Sequence, residues 1–198
     1  MLKYAVENLR DFGLRGFHLR LSAALNVYRE LGFYVCTAPQ PRDARIALDF
    51  SVMRLDELEE YCSLRPNWDK SHAQERLRRG GKCILARHGG AIAGFGWAME
   101  NGDWSEFLSR DIPPHPDEVY IADTYTQPAF RAKGVSTALI ARCCRTYFDA
   151  GKRRAVASIL PYNIASIRSF QKAGFQLAWR SGYVGLGKRR QPFDRPVR

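Results

Sequence analysis

Apolar residues recur at helical spacing from Leu14 to Leu31 (Leu14, Phe17, Leu21, Leu25, Tyr28), and Gly32 stands where a helix would stop. Phe33 to Cys36 reads as a short strand, followed by the broken link Pro39-Gln-Pro41. Ala44 to Met53 predicts a strand of mixed alternation. Asp56 to Arg79 predicts two short helices divided at Arg65-Pro-Asn-Trp68. Lys82 to His88 and Ala91 to Met99 are apolar runs flanking Gly89-Gly90, a hairpin signal. Asn101 to Asp117 reads as an acidic, Pro-rich loop, and Glu118 to Thr126 as a strand rich in Tyr, Ile and Thr. A helix is predicted over Val135 to Phe148 and a strand over Ala155 to Leu160. A second helix, Asn163 to Ala173, is capped by Asn163 and stopped by Gly174. Gln176 to Trp179 and Tyr183 to Leu186 would be short closing strands. Hairpins in the middle and strand–helix alternation afterwards predict an α/β protein with a mixed sheet. Residues 24–33 echo 166–175 in their aromatic and Gly-Phe positions, and this suggests that residues 1–42 are a separate helix-plus-strand appendage.

Composition sharpens this picture. The 198 residues suit one domain with an appendage, and 24 aromatic residues exclude a disordered chain. No apolar run is long enough to span a membrane. Charges replace the apolar stretch of a signal peptide at the start, so a cytoplasmic location is expected. Five Cys without a Cys-x-x-Cys suggest neither a disulfide framework nor a zinc site; Cys143 and Cys144 read as buried thiols. The net charge of +11 is concentrated at one end: residues 151–198 hold 11 basic residues and one acidic residue, Asp194. Such a tail suits a solvated face, a polyanionic small molecule or nucleic acid.

Arg131-Ala-Lys-Gly-Val-Ser136 lies between a predicted strand and a predicted helix. A helix start offers unpaired N–H groups and a positive dipole end, and a Gly lets the backbone curl close to an anion. It is neither a Walker A loop nor Gly-x-Gly-x-x-Gly. The run Tyr125-Thr-Gln-Pro-Ala-Phe-Arg-Ala-Lys-Gly-Val-Ser-Thr-Ala-Leu-Ile140 resembles motif A of the GNAT acetyltransferase superfamily, an Arg/Gln-x-x-Gly-x-Gly/Ala loop after its fourth strand. Asn163-Ile-Ala-Ser-Ile-Arg-Ser-Phe-Gln-Lys-Ala-Gly-Phe175 resembles the family's following helix. Two departures stand out: Ser136 replaces Gly or Ala, and Phe170 stands where many relatives have a Tyr that protonates the departing thiolate.

The resemblance implies a mixed, largely antiparallel sheet splayed at its fourth and fifth strands, with helices on both faces. Residues 43–187 would form the acyltransferase domain and 188–198 a basic tail. It implies acyl transfer, most often acetyl, from acetyl-CoA or another acyl-CoA as co-substrate to a small-molecule or peptide amine, with no metal. The pyrophosphate would lie on Arg131, Ala132, Lys133, Gly134, Val135 and Ser136, with Asn163 and Ser166 opposite and Phe170 against the cofactor arm. A backbone N–H of Thr124, Tyr125 or Thr126 would stabilise the charge on the acyl oxygen. Lys152, Arg153 and Arg154 are candidates for the 3′-phosphate.

The amine needs a base. Strand parity places Glu118, Tyr120, Ala122 and Thr124 on one face and Asp123 on the other unless a bulge intervenes; Tyr120 and Asp123 come first, then Glu118. Tyr125, Tyr162, Ser166 or water are candidate proton donors. His88 and His115 are weaker candidates, and Trp68, Trp104 and Phe107 fall where relatives wall the acceptor pocket. Relatives are often dimers, so a homodimer is one expected assembly. Two alternatives stand beside the acetyltransferase: a GNAT-fold protein that takes another acyl donor or only senses acyl-CoA, and a nucleic-acid-binding module built on the basic C-terminus.

Overall fold

The computed structural model describes residue 18 and residues 21–25, 27–64 and 70–197. Its strands are β1 (Tyr28–Cys36), β2 (Asp49–Val52), β3 (Lys82–His88), β4 (Ala91–Met99), β5 (Asp103–Ser105), β6 (Arg110–Ile112), β7 (Glu118–Thr126), β8 (Arg154–Ile159), β9 (Gln176–Val184) and β10 (Gln191–Pro196). The helices are α1 (Leu58–Ser63), α2 (Lys70–Arg78), α3 (Val135–Phe148) and α4 (Ile164–Lys172). Eight strands make one sheet in the order β10-β9-β1-β8-β7-β4-β3-β2, and β5 and β6 form a separate hairpin. Every pair in the large sheet is antiparallel except β7 with β8.

Each face of the sheet carries its own core. On one, Leu139, Ile140, Cys143 and Tyr147 of α3 and Phe170 of α4 pack on Ile84, Val119, Ile121, Ala157 and Ile159. On the other, Leu58 and Tyr61 of α1, Ala73 of α2 and Leu108 and Ile112 of the small hairpin cover Leu31, Phe33, Leu85, Phe95, Trp97 and Tyr120. Two buried faces explain why β4 reads as a continuous apolar run rather than an alternating one. Gly94 on β4 permits close packing, because a Cβ there would lie 2.6 Å from the Tyr125 carbonyl.

Several expectations are corrected. Tyr28–Leu31 are not helical but open β1, which fills the slot between β8 and β9, with Gly32 opposite Ile159 and Arg180. Residues 28–36 therefore belong to the domain's sheet, and the likeness of 24–33 to 166–175 joins a strand to a helix. Leu14, Phe17 and Trp68 lie outside the described residues. The Asn101–Asp117 segment holds the β5–β6 hairpin, and the two closing strands are one, β9.

The last correction concerns the basic C-terminus, which supplies an edge strand, β10, paired along β9. Its cations are partly engaged inside the fold. Arg180 pairs with buried Glu30 at 2.6 Å, and Arg190 lies over the Tyr183 ring at 4.7 Å. No described helix is long and apolar enough to cross a membrane.

Candidate active site

The parallel ladder of β7 and β8 runs only from Glu118–Arg154 to Tyr120–Val156. Beyond it β7 follows β4 while β8 follows β1, so the two strands part and leave one edge of β7 unpaired from Ile121 to Thr126. The Tyr120 and Ser158 hydroxyls share a 2.5 Å hydrogen bond at the fork. On β4 the register advances from Phe95 to Trp97 while its partner steps from Tyr125 to Ala122, which leaves an extra residue on β7. Asp123 sits in that bulge with φ +40°.

A cleft of about 760 Å³ opens beside this edge. Thr124, Tyr125, Thr126, Arg131, Ala132, Gly134, Val135, Ser136, Asn163 and Ser166 all line it, so ten of the sequence-predicted residues converge there. The loop before α3 has left-handed backbone at Ala132 (φ +60°) and Gly134 (φ +83°), a pattern that gathers successive N–H groups toward one anion. A Cβ on Gly134 would press on Ala44 at 3.3 Å, and the Arg45 N–H donates to the Lys133 carbonyl at 2.8 Å, which ties the 42–45 segment to the loop. The first turn of α3 carries no acidic residue. The Asn163 side chain caps α4 by accepting from the Ser166 N–H at 3.2 Å. With left-handed glycine at the close approach and the helix start beyond it, these residues fit a pyrophosphate.

Other sequence candidates stand elsewhere. Lys133 is not among the cleft-lining residues and lies over the Phe130 ring at 5.4 Å. Phe170 is 3 % exposed, packs edge-on against Phe175 in the core and does not line the cleft. The helical turn explains this: Ala165, Ser169 and Lys172 (i, i+4, i+7) face the cleft, and Phe170 is one residue further round. Tyr162 is half-buried beside Asn163 and is not a lining residue. Glu118 is buried at the far end of β7, about 26 Å from Thr126, where it accepts from the His115 N–H and pairs with Arg154 at 2.9 Å. Lys152 pairs there with Glu100. Lys152 and Arg154 are thus structural ties, and Arg42, Arg45, Arg131 and Lys172 are the cations beside the cleft.

Of the weaker candidates, His88 hydrogen-bonds to the Ala47 carbonyl at 2.8 Å. Trp104 is 50 % exposed, and Phe107 lies under the Arg29 guanidinium. Cys143 and Cys144 are buried, and burial pushes the Cys143 thiol up to about 12.

On the other side of β7 the bulge overturns the strand parity. Asp123 points to the face of Tyr120 and Trp97, where α2 brings Arg76. The Arg76 guanidinium lies 3.3 Å from Asp123, 2.7 Å from Asp103 and 5.5 Å from the Trp97 ring. All three charged side chains are mostly shielded, at 12–15 % exposure. Burial opposes the Arg76 charge, but Asp103 and then Asp123 outweigh it, so its pKa stands raised. Burial also pushes Tyr120 up to about 12, against a lowering by the Ser158 hydrogen bond. Tyr120 therefore keeps its proton near neutrality.

Arg42, Arg45, Ser169, Lys172, Arg76 and Asp103 were not signalled by the motifs. Only the i, i+4, i+7 spacing of Ala165, Ser169 and Lys172 could have revealed part of this set. Among the described residues no cluster of His, Cys, Asp and Glu could hold a metal ion.

Solved structures of known proteins share this fold. The aminoglycoside N-acetyltransferase AAC(6')-Iy, solved with CoA, is 26% identical with a TM-score of 0.51, over 65% of this chain and 91% of that one. A GNAT-family putative acetyltransferase from Novosphingobium aromaticivorans superposes with a TM-score of 0.56 at 17% identity, over 77% of this chain and 61% of that one. A GNAT acetyltransferase from Colwellia psychrerythraea gives 0.56 at 10% identity, over 91% and 62%. None of the curated proteins compared with the chain matches it. The family model for the acetyltransferase (GNAT) family matches residues 49–175, which span the bulged strand, the loop before α3 and α4. By that match the chain belongs to the acetyltransferase (GNAT) family.

Proposed function

We propose that the protein transfers an acetyl group from acetyl-CoA to an amine of a small, cationic molecule or peptide. The observation that carries this reading is the cleft where β7 leaves β8, floored by the left-handed Ala132 and Gly134 and by the start of α3. Bound there, acetyl-CoA supplies an activated thioester. The chain's own part is positioning and charge stabilisation. The Gln127 N–H donates to Ala93 on β4 at 2.9 Å. Strand alternation then turns the N–H groups of Thr126 and Thr124 toward the unpaired edge, where they can face the acyl oxygen. Arg42, Arg45, Arg131 and Lys172 would balance the phosphates.

Asp123, at the fork, takes the proton of the attacking amine. Tyr120, still protonated, is placed to hold or return a proton through Ser158. A cationic acceptor is favoured because Asp103, Asp123 and Arg76 together carry a net charge of −1 on the acceptor side of β7. The 26%-identical structure is that of an aminoglycoside N-acetyltransferase, and aminoglycosides are cationic amines of this kind.

The test is thiol release from acetyl-CoA with spermidine, neamine and a lysyl dipeptide, alongside a thermal shift with acetyl-CoA alone. Binding stabilises the fold by mass action, by about 2.7 kcal/mol at a hundredfold excess over Kd. A melting shift with thiol release is expected. A shift without release from any amine would favour an acyl-CoA sensor, and no shift with any acyl-CoA would remove the reading.

A further inference from the structure

Arg76 and Asp103 come from segments far from either recognised motif, yet they meet the residue proposed above as the base. We infer that Arg76 is a positioning residue for acyl transfer: one guanidinium, divided between Asp103 and Asp123, holds the Asp123 carboxylate at the fork of β7 and β8, and Asp103 sets how much of its charge Asp123 receives. The inference rests on the reading of Asp123 as base.

Three observations carry it. First, Asp123 occupies left-handed backbone, φ +40°, without being glycine. Such a conformation costs of order 1–3 kcal/mol and persists only where its surroundings hold it. The bulge it creates is what turns the carboxylate to the Arg76 side.

Second, the guanidinium is itself fixed. It lies on the Trp97 ring, and the Trp97 indole N–H donates to the buried Tyr61 hydroxyl at 3.0 Å. Arg76 is therefore a rigid fork between two acids rather than a solvated cation.

Third, the contacts are unequal: 2.7 Å to Asp103 and 3.3 Å to Asp123. Asp103 begins a strand of the small hairpin, whose far side is held by Arg29 donating to the Phe107 carbonyl at 2.8 Å. Asp103 thus competes for the guanidinium from a separately anchored element. A base bound by the whole charge of Arg76 would be a poor proton acceptor, and one without any of it would lose its orientation. Among the described residues, Tyr61 of α1, Cys83 of β3 and Tyr120 of β7 also act on Asp123 or the cluster, and all three retain their protons near neutrality because burial raises them.

The two partners must shift the reaction in opposite directions. Removing a cation within about 4–6 Å of a carboxylate raises its titration, and removing a like charge lowers it, each by about 1–3 units at full strength. The experiment is the pH profile of kcat for thiol release, with the fastest amine of the panel, in wild type, Arg76→Gln, Arg76→Lys and Asp103→Asn. Acetyl-CoA titration calorimetry on each protein confirms an intact cofactor side.

The acid limb should move up by about one unit or more in Arg76→Gln. Arg76→Lys should restore it in part while leaving kcat lower, since an ammonium lacks the fork. In Asp103→Asn the limb should move down. If Arg76→Gln does not fold, Arg76→Lys and Asp103→Asn still give the opposed shifts. Limbs that stay put while kcat falls, or that move the same way, overturn the inference and leave Arg76 a packing residue. A wild type that binds acetyl-CoA but releases no thiol overturns the acyl-transfer reading, and the inference with it.

Discussion

The two sides of β7 at its fork solve different problems with different materials. Toward α3 and α4 the site is made mostly of backbone: left-handed Ala132 and Gly134, the N–H groups opening α3, and small side chains such as Ser136, Ala165 and Ser169. Toward α2 and the hairpin it is made of side chains, with Arg76, Asp103, Asp123 and Tyr120 gathered from three separate stretches of chain. A backbone site needs few residue identities but strict conformations. A side-chain site needs identities, and tolerates any backbone that delivers them. The first suits a large anion common to many reactions, and the second a particular acceptor.

The contrast predicts separable failures. The largest is expected from Asp123→Asn, which should lower kcat by about 10²–10⁴-fold, the usual scale for a lost general base, with acetyl-CoA affinity unchanged by calorimetry. Gly134→Val should do the reverse. The positive φ alone costs a side chain about 1–2 kcal/mol, and the new Cβ would press on Ala44. Acetyl-CoA should bind about 10- to 100-fold more weakly, while kcat at saturation changes little.

Alkaline unfolding probes the side-chain face. Tyr120 titrates near 12 when folded and near 10.0 when free. Above pH 10 the unfolded chain sheds this proton and the folded chain retains it. The contribution is therefore complete below pH 10 and is lost as pH rises toward 12, by about 3 kcal/mol. Denaturant unfolding between pH 9 and 12 should show a flatter decline in Tyr120→Phe than in wild type.

The smallest effect concerns Phe170→Tyr. A phenol added inside the α3–α4 core, without an arranged partner, should cost about 1–3 kcal/mol and lower the melting temperature by several degrees. The rate of thiol release should not rise. A faster variant would place position 170 at the reaction after all.

The same contrast explains what could be read in advance. The predicted bounds of β3, β4, β7 and α3 coincide with those observed, because apolar runs and glycine punctuation are local signals. The turn before α3 was readable for the same reason: its left-handed backbone at position 134 calls for Gly134. Tyr28–Leu31 misled, since their helical spacing is overridden by the open slot between β8 and β9. Phe170 was expected against the cofactor arm from the resemblance, whereas the turn of α4 brings Ala165, Ser169 and Lys172 to the cleft instead. The Arg76–Asp103 pair had no local signature at all: 27 residues separate the partners, and only the packing of α2 against the hairpin joins them. Even the parity of Asp123 depended on a bulge that no residue pattern announces.

Acetyl-CoA affinity and thiol release measured on the same Asp123→Asn protein test the division of labour most directly. The account predicts calorimetric binding equal to wild type and release slower by about 10²–10⁴-fold. Release at the wild-type rate, or loss of binding along with activity, would contradict it.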